Sequence, residues 1–288
     1  MSGGDRVLRI GHRIRVPAAG RIALAVIISL ALPSSGRALA DPLAEAGAAE
    51  VAPPPQPWKL NLYDESAVRF QNPDAEACTA AATESMLNLA ALASNPDMPP
   101  PRGGSLPSTS FTWTLDTSFD TEENILAFER QNMTMVWTAQ GSDPHGWRNA
   151  LNYFGWGSMK AGVYRDSSYD SFDAAIRATV HSIARTHKPV GILGWAGGHA
   201  QYVTGYSVLG DDPRVGDHYT ILGVYLTDPL EGDRTTNVFL TYSTWESGPG
   251  YLRFWPYWDE TSPYVDPIDG SVGDREWRGK WVIVNPVS

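Results

Sequence analysis

The stretch "PVGILGWAGGHAQYVTGYSV", residues 189–208, decides the fold. Two short runs rich in branched and aromatic side chains, 189–196 and 199–208, flank Gly197-Gly198. Such side chains suit a pleated surface, and a glycine pair supplies the backbone freedom of a tight hairpin. The stretch therefore reads as two antiparallel strands turning at Gly197-Gly198. His199 opens the second strand, beside glycines that let another backbone come close and leave the imidazole uncrowded.

Working outward, "HYTILGVYLTDP" (218–229) reads as a third strand with Asp228 near its end. "TNVFLTYS" (236–243) and "KWVIVNP" (280–286) are further strand candidates. Upstream the texture is helical. A helix is expected over 72–93, where Ala82, Met86, Leu89 and Ala93 fall on one face. Others are expected over 121–133, capped by Asp120 with Glu123 three residues on, over 144–154, and over 168–187. The last carries a stripe of Phe172, Ile176, Val180 and Ile183. Residues 94–110 are rich in Pro, Gly and Ser and read as a loop. Helices first and antiparallel strands second imply an α+β fold rather than alternating α/β units. No repeat occurs at a solenoid period.

The N-terminus carries a different signal. Residues 1–21 hold five arginines and one acid, and residues 22–32 are an uncharged apolar run ahead of Ala38-Leu39-Ala40. That order predicts a secretory signal over 1–40, cut after Ala40. The run is shorter than the ~20 residues a spanning helix needs, which leaves an uncleaved N-terminal anchor as the alternative. Ala- and Pro-rich residues 41–57 read as a linker, and 58–288 as the domain.

The full chain has 22 basic and 32 acidic side chains, a net charge of −10. Residues 1–40 hold six of the bases and one acid, so the mature chain carries 16 against 31, or −15. Such a surface repels phosphate backbones, which argues against nucleic acid as a partner. No membrane contact is expected after signal removal. Oligomeric state has no signature here.

Cys78 is the only cysteine, so it has no internal disulfide partner. For an exported chain a free thiol is an oxidation risk, and reactivity rather than packing usually explains its presence. In the first turn of a helix, free N–H groups and the helix dipole favour a thiolate nucleophile. Pro73 could instead start that helix and place Cys78 in its second turn, and a small buried hydrophobe is the competing reading. A thiolate needs a base, usually histidine, held by a third group. Of the five histidines beyond residue 40, His199 is the best placed. Asp228, near the end of the following strand, could fix its tautomer. His181 and His187 stand six apart, which fits no helical metal pair. His145, behind Asp143-Pro144, reads as structural, and His218, among Asp211, Asp212 and Asp217, as solvated. The stretch 266–274 lacks calcium-loop spacing. No cofactor or metal is expected.

The order of a helix-borne Cys, a strand-opening His after glycine, and an acid near the next strand's end resembles the papain-like cysteine peptidases. The nearest likeness is to the bacterial C39-like group, related to bacteriocin-leader peptidases. It is carried by Gln71 and Cys78, by "KPVGILGWAGGHAQYVTGY" (188–206) and by "VYLTDP" (224–229), and is strongest over 58–230. The resemblance implies a papain-like α+β fold with Cys78 as nucleophile, His199 as base and then acid, and Asp228 orienting His199. Gln71 and the Cys78 backbone N–H would hold the oxyanion. Peptide or protein amides would be the substrates, cleaved through a thioester. Two departures stand out. Thr79-Ala80 follows the cysteine where such enzymes usually have Gly-Pro, and Gln71 lies seven residues before Cys78 where six is commoner, a place held here by Asn72. A catalytically inactive binding module, a cell-wall amidase and a structural domain with an inert thiol are the alternatives.

The C-terminal extension, 231–288, concentrates aromatics: five of eleven tryptophans lie between Trp245 and Trp281. Packing beneath irregular loops is the favoured reading, and a wall of the substrate cleft or a sugar-stacking surface the other.

Overall fold

The computed structural model describes residues 57–72, 76–93, 111–134, 141–230, 235–247, 253–258, 263–265, 272–274 and 277–288. The expected signal, nearly all of the linker and the loop over 94–110 lie outside these residues.

The glycine-centred stretch forms the hairpin its composition predicts. Strand β3 (Val190–Gly194) pairs antiparallel with β4 (His199–Gly210), and Gly194 stands opposite His199. The connection is wider than a two-residue turn at Gly197-Gly198, because Trp195–Gly197 form a single 3-10 turn before the chain reverses. Strand β5 (Tyr219–Thr227) pairs with the other edge of β4, and β6 (Val238–Thr241) pairs with β5. Beyond β6 the expected strand over 236–243 becomes the short helix α5 (Tyr242–Ser247).

Two strands came without warning from the helical half. β1 (Pro57–Asn61) pairs with the later part of β4. β2 (Tyr164–Tyr169) pairs with the last strand, β9 (Trp281–Pro286), which also pairs with β3. The result is a seven-stranded antiparallel sheet, β2-β9-β3-β4-β5-β6 with β1 beside β4. A separate ribbon joins β7 (Pro263–Val265) to β8 (Val272–Asp274). The fold is thus mixed α+β, as expected.

Helix α4 (Phe172–Thr186) starts at the Ser171 cap, later than 168, because residues through Tyr169 belong to β2. Its predicted stripe packs with Val190, Ile192 and Val203 of the sheet. A second core cluster joins sheet residues Leu193, Tyr202 and Val284 to α1 (Cys78–Ala93) and α3 (Pro144–Trp156). Gly191 allows the close approach of α3: a Cβ there would lie 2.4 Å from the Trp147 ring. Helix α2 (Phe119–Gln131) is capped by Ser118, whose hydroxyl accepts from the Thr121 N–H, in place of the expected Asp120.

Helix α1 departs most from expectation. It begins at Cys78, not residue 72, and it is buried on every side from Thr79 to Ala90 rather than along one stripe. Burying Met86, Leu87 and Leu89 contributes about 1.5–3 kcal/mol each. Its polar residues must then find internal partners. Thr79 and Thr83 donate to the Glu129 carboxylate on α2 at 2.5 and 3.0 Å. The Ser85 hydroxyl accepts from the Arg69 N–H at 2.7 Å, and Asn88 donates to the Ala67 carbonyl at 3.2 Å. These bonds fix the depth and rotation of α1, and so the position of the cysteine at its head.

Candidate active site

Three elements converge on one place. The head of α1 supplies Cys78, the start of β4 supplies His199, and the residue after β5 supplies Asp228. Cys78 opens the helix: the first intrahelical bond spanning it runs from the Ala81 N–H to the Ala77 carbonyl at 2.9 Å. Of the two starts weighed from sequence, the structure has the one that puts the thiol in the first turn. Cys78 is only half-buried and sits beside the His199 imidazole, whose pKa it helps to raise. His199 is buried, and its Nε2 donates to Asp228 Oδ1 at 2.7 Å.

Asp228 is buried and fully engaged. Its Oδ1 also accepts from the Leu230 N–H at 2.8 Å, and its Oδ2 accepts from Gln201 Nε2 at 2.7 Å. Its own N–H donates to the Thr235 carbonyl at 3.0 Å. Gln201 is the residue that sequence reasoning missed. It stands two after His199 on the same strand, and residues at that interval share a face. Tyr202 pairs with Thr227, so the next step along the ladder brings Gln201 opposite Asp228. A glutamine two beyond a candidate base is therefore a signal that could have been used.

Burial alone would push the His199 imidazolium to lose its proton. Burial is the largest single influence, but the interactions with Asp228 and Cys78 together outweigh it, and the pKa rises to about 9. The imidazole thus holds a proton at neutral pH, poised between a carboxylate and a sulfur. That charge pattern supports a nucleophilic sulfur and a proton donor in one unit.

Gln71 lies on the Asp228 side of this group, since its backbone N–H donates to the Pro229 carbonyl at 2.9 Å. Asn72, the other oxyanion candidate, has its backbone N–H bound to Glu122 Oε1 at 2.9 Å. The residues between them and the cysteine, 73–75, are outside the described set.

The remaining histidines stand elsewhere. His145 is buried, with Thr134 Oγ1 2.8 Å from Nδ1 and Asp166 Oδ2 3.5 Å from Nε2, in a network that ties α3 to β2. His181 contacts the Pro213 carbonyl and Asp217, each at 2.7 Å. His187 caps α4 in the left-handed conformation, and His218 is exposed. Among the described residues, no group of three or more His, Cys, Asp or Glu side chains could hold a metal ion. The stretch 266–274 lies largely outside them. No described helix is long and apolar enough to cross a membrane.

The aromatic C-terminus is partly packed and partly exposed. Phe254, Tyr257 and Trp277 are buried in the core, whereas Trp255 and Trp258 are exposed. The segment 253–258 also grips the turn ahead of His199. Trp195 N–H donates to the Arg253 carbonyl at 3.1 Å, and Trp258 N–H donates to the Ala196 carbonyl at 3.0 Å. Tyr257 lies under Gly197, where a Cβ would meet its ring at 2.4 Å. Segment 253–258 is therefore part of the site's frame.

No protein-family model, curated protein or solved structure matches this chain.

Proposed function

We propose that this chain is an exported thiol hydrolase of the cysteine-peptidase type, cleaving peptide amides through Cys78, His199 and Asp228. The observation that supports it is the nearness of a helix-head sulfur to a buried imidazole that is itself hydrogen-bonded to a buried carboxylate. In this reading the Cys78 thiolate attacks the amide carbonyl carbon and forms a C–S bond. The oxyanion is met by the Cys78 backbone N–H and the Gln71 side chain. Collapse breaks the C–N bond as His199 passes its proton to the departing amine, leaving a thioester and a neutral imidazole. Water then attacks the thioester carbonyl and gives a proton to His199. The C–S bond breaks, a carboxylic acid is released, and the thiolate–imidazolium pair is restored. Asp228 keeps the imidazole oriented and stabilises its charge throughout.

Residues 1–40 serve as the export signal in this reading, and the domain runs from Trp58 to Ser288. The papain-like likeness carried by Gln71, Cys78, His199 and Asp228 assigns these residues the same order along the chain. The test is digestion of a denatured protein substrate, followed by mass spectrometry. Cleavage by the mature chain that is lost in both Cys78→Ala and His199→Ala supports the reading. Cleavage that survives in Cys78→Ala, or no cleavage together with no thioester adduct from an activated acyl donor, overturns it. N-terminal sequencing of exported material should begin at Asp41.

A further inference from the structure

We propose that the turn Trp195–Gly197 and the segment 253–258 together form an aromatic rim that recognises the leaving-group side of the substrate, taking a bulky apolar side chain there. The inference rests on the hydrolase reading above and names what its site selects. Trp195, Trp255 and Trp258 are 37%, 44% and 55% exposed, although the core accommodates other rings from the same stretch. Exposed large aromatics grouped on one part of a surface mark recognition sites.

The backbone that displays Trp195 is held in an unfavourable form. Trp195 and Ala196 both have left-handed conformations, with φ of 51° and 58°, which side-chain-bearing residues rarely adopt. The reciprocal bonds between Trp195, Arg253, Ala196 and Trp258 hold that turn in place. The strain places the Trp195 ring against the His199 imidazole, with centroids 4.5 Å apart and planes tilted by 32°. His199 is the group that must hand its proton to the departing amine, so that amine leaves beside it. A ring packed on His199 therefore borders the leaving-group side. Arg253 already covers the Trp255 ring, 4.7 Å from its centroid, so a second cation there is disfavoured and an apolar group fits better.

Acyl transfer reads this surface directly. When an amine replaces water, its nitrogen attacks the thioester carbonyl, its proton passes to neutral His199, the C–S bond breaks and an amide forms. The enzyme is charged with a panel of benzoyl-aminoacyl thioesters, hippuryl among them. Glycinamide, leucinamide, phenylalaninamide, lysinamide and glucosamine are then offered as acceptors, and the ratio of amide to acid is measured for each. Leucinamide and phenylalaninamide should exceed glycinamide by about tenfold, the order expected when an apolar side chain leaves water. Trp195→Gly suits the left-handed backbone while removing the ring. It and Trp258→Ala should each reduce that preference to about threefold or less, and Trp195→Phe should retain most of it. Equal use of all acceptors by a charged enzyme, preference for lysinamide or glucosamine, or unchanged selectivity in the variants would overturn the rim alone. Absence of any acyl-enzyme in the intact-mass spectrum would overturn the hydrolase reading and the rim with it.

Discussion

His199 Nε2 lies 2.7 Å from Asp228 Oδ1, and the opposite carboxylate oxygen of Asp228 is held at the same distance by Gln201. The acid is thus fixed at both ends, and the imidazole it faces has little freedom to turn. Asp228→Asn removes the charge that keeps His199 protonated. The rate of amide cleavage should fall by at least ~100-fold, the scale of a lost acid–base partner. In the native chain the alkaline limb of the pH–rate profile should lie near the His199 pKa of about 9, where the proton for the leaving amine is lost. In Asp228→Asn that limb should move to lower pH, because the group that raises the pKa is gone. An unmoved limb would remove Asp228 from this role.

Gln201 acts through Asp228, so its effect should be seen in kcat more than in KM. Gln201→Leu leaves Asp228 Oδ2 without its buried donor. A fall of about 10-fold or more in kcat is expected, together with a shifted alkaline limb. Gln201→Glu, which can donate only when protonated, should recover part of the rate as the pH is lowered. A merely structural role would instead lower the melting temperature and leave the pH profile of the surviving enzyme unchanged.

Much of this site was legible in the sequence, for local reasons. A strand-opening histidine behind glycines, an acid ahead of proline at the next strand's end and a lone cysteine are recorded in adjacent residues. The parts that were not legible depend on contacts distant in sequence. The all-round burial of α1 follows from α2, α3 and the sheet packing around it, and β1 and β2 become strands only because β4 and β9 offer edges. The strained Trp195-Ala196 turn depends on residues 253–258, about sixty positions away. The alanine-rich composition of 77–93 was itself a hint of close packing, since small side chains let a helix be enclosed.

Stability should fall as pH rises. Glu129 is fully buried, among the described residues it accepts from two threonine hydroxyls, and its pKa rises to about 8 because burial penalises the carboxylate. Between its ordinary value near 4.5 and about 8, the folded chain retains a proton that the unfolded chain has lost, so unfolding becomes easier with each pH unit. The slope is about 1.4 kcal/mol per unit for one such group. His199 adds a loss of the same sign as the pH passes from 6.5 through about 9. Thermal melts from pH 5 to 9 should show a declining midpoint, and Glu129→Gln should lessen the decline below pH 8, leaving the part due to Glu84, which burial also raises to about 8. A midpoint that rises with pH would contradict both assignments.

Gly197 tests the frame. Its φ is +95°, and an added Cβ would stand 2.4 Å from the buried Tyr257 ring. Gly197→Ala should cost about 1–3 kcal/mol and slow turnover by disturbing the turn that precedes His199. Urea unfolding gives the first quantity and single-turnover kinetics the second. A neutral substitution would show that segment 253–258 does not hold the turn.

The central claim is that His199 activates the Cys78 sulfur. The measurement that reaches it most directly is the rate of Cys78 alkylation by iodoacetamide from pH 4 to 9, in the mature chain and in His199→Ala. An ordinary thiol follows a titration near pH 8.5. The native chain should react well below that titration, and His199→Ala should abolish the excess and restore ordinary behaviour. Slow reaction at every pH, or matching profiles in the two proteins, would show an inert thiol and end the hydrolase reading.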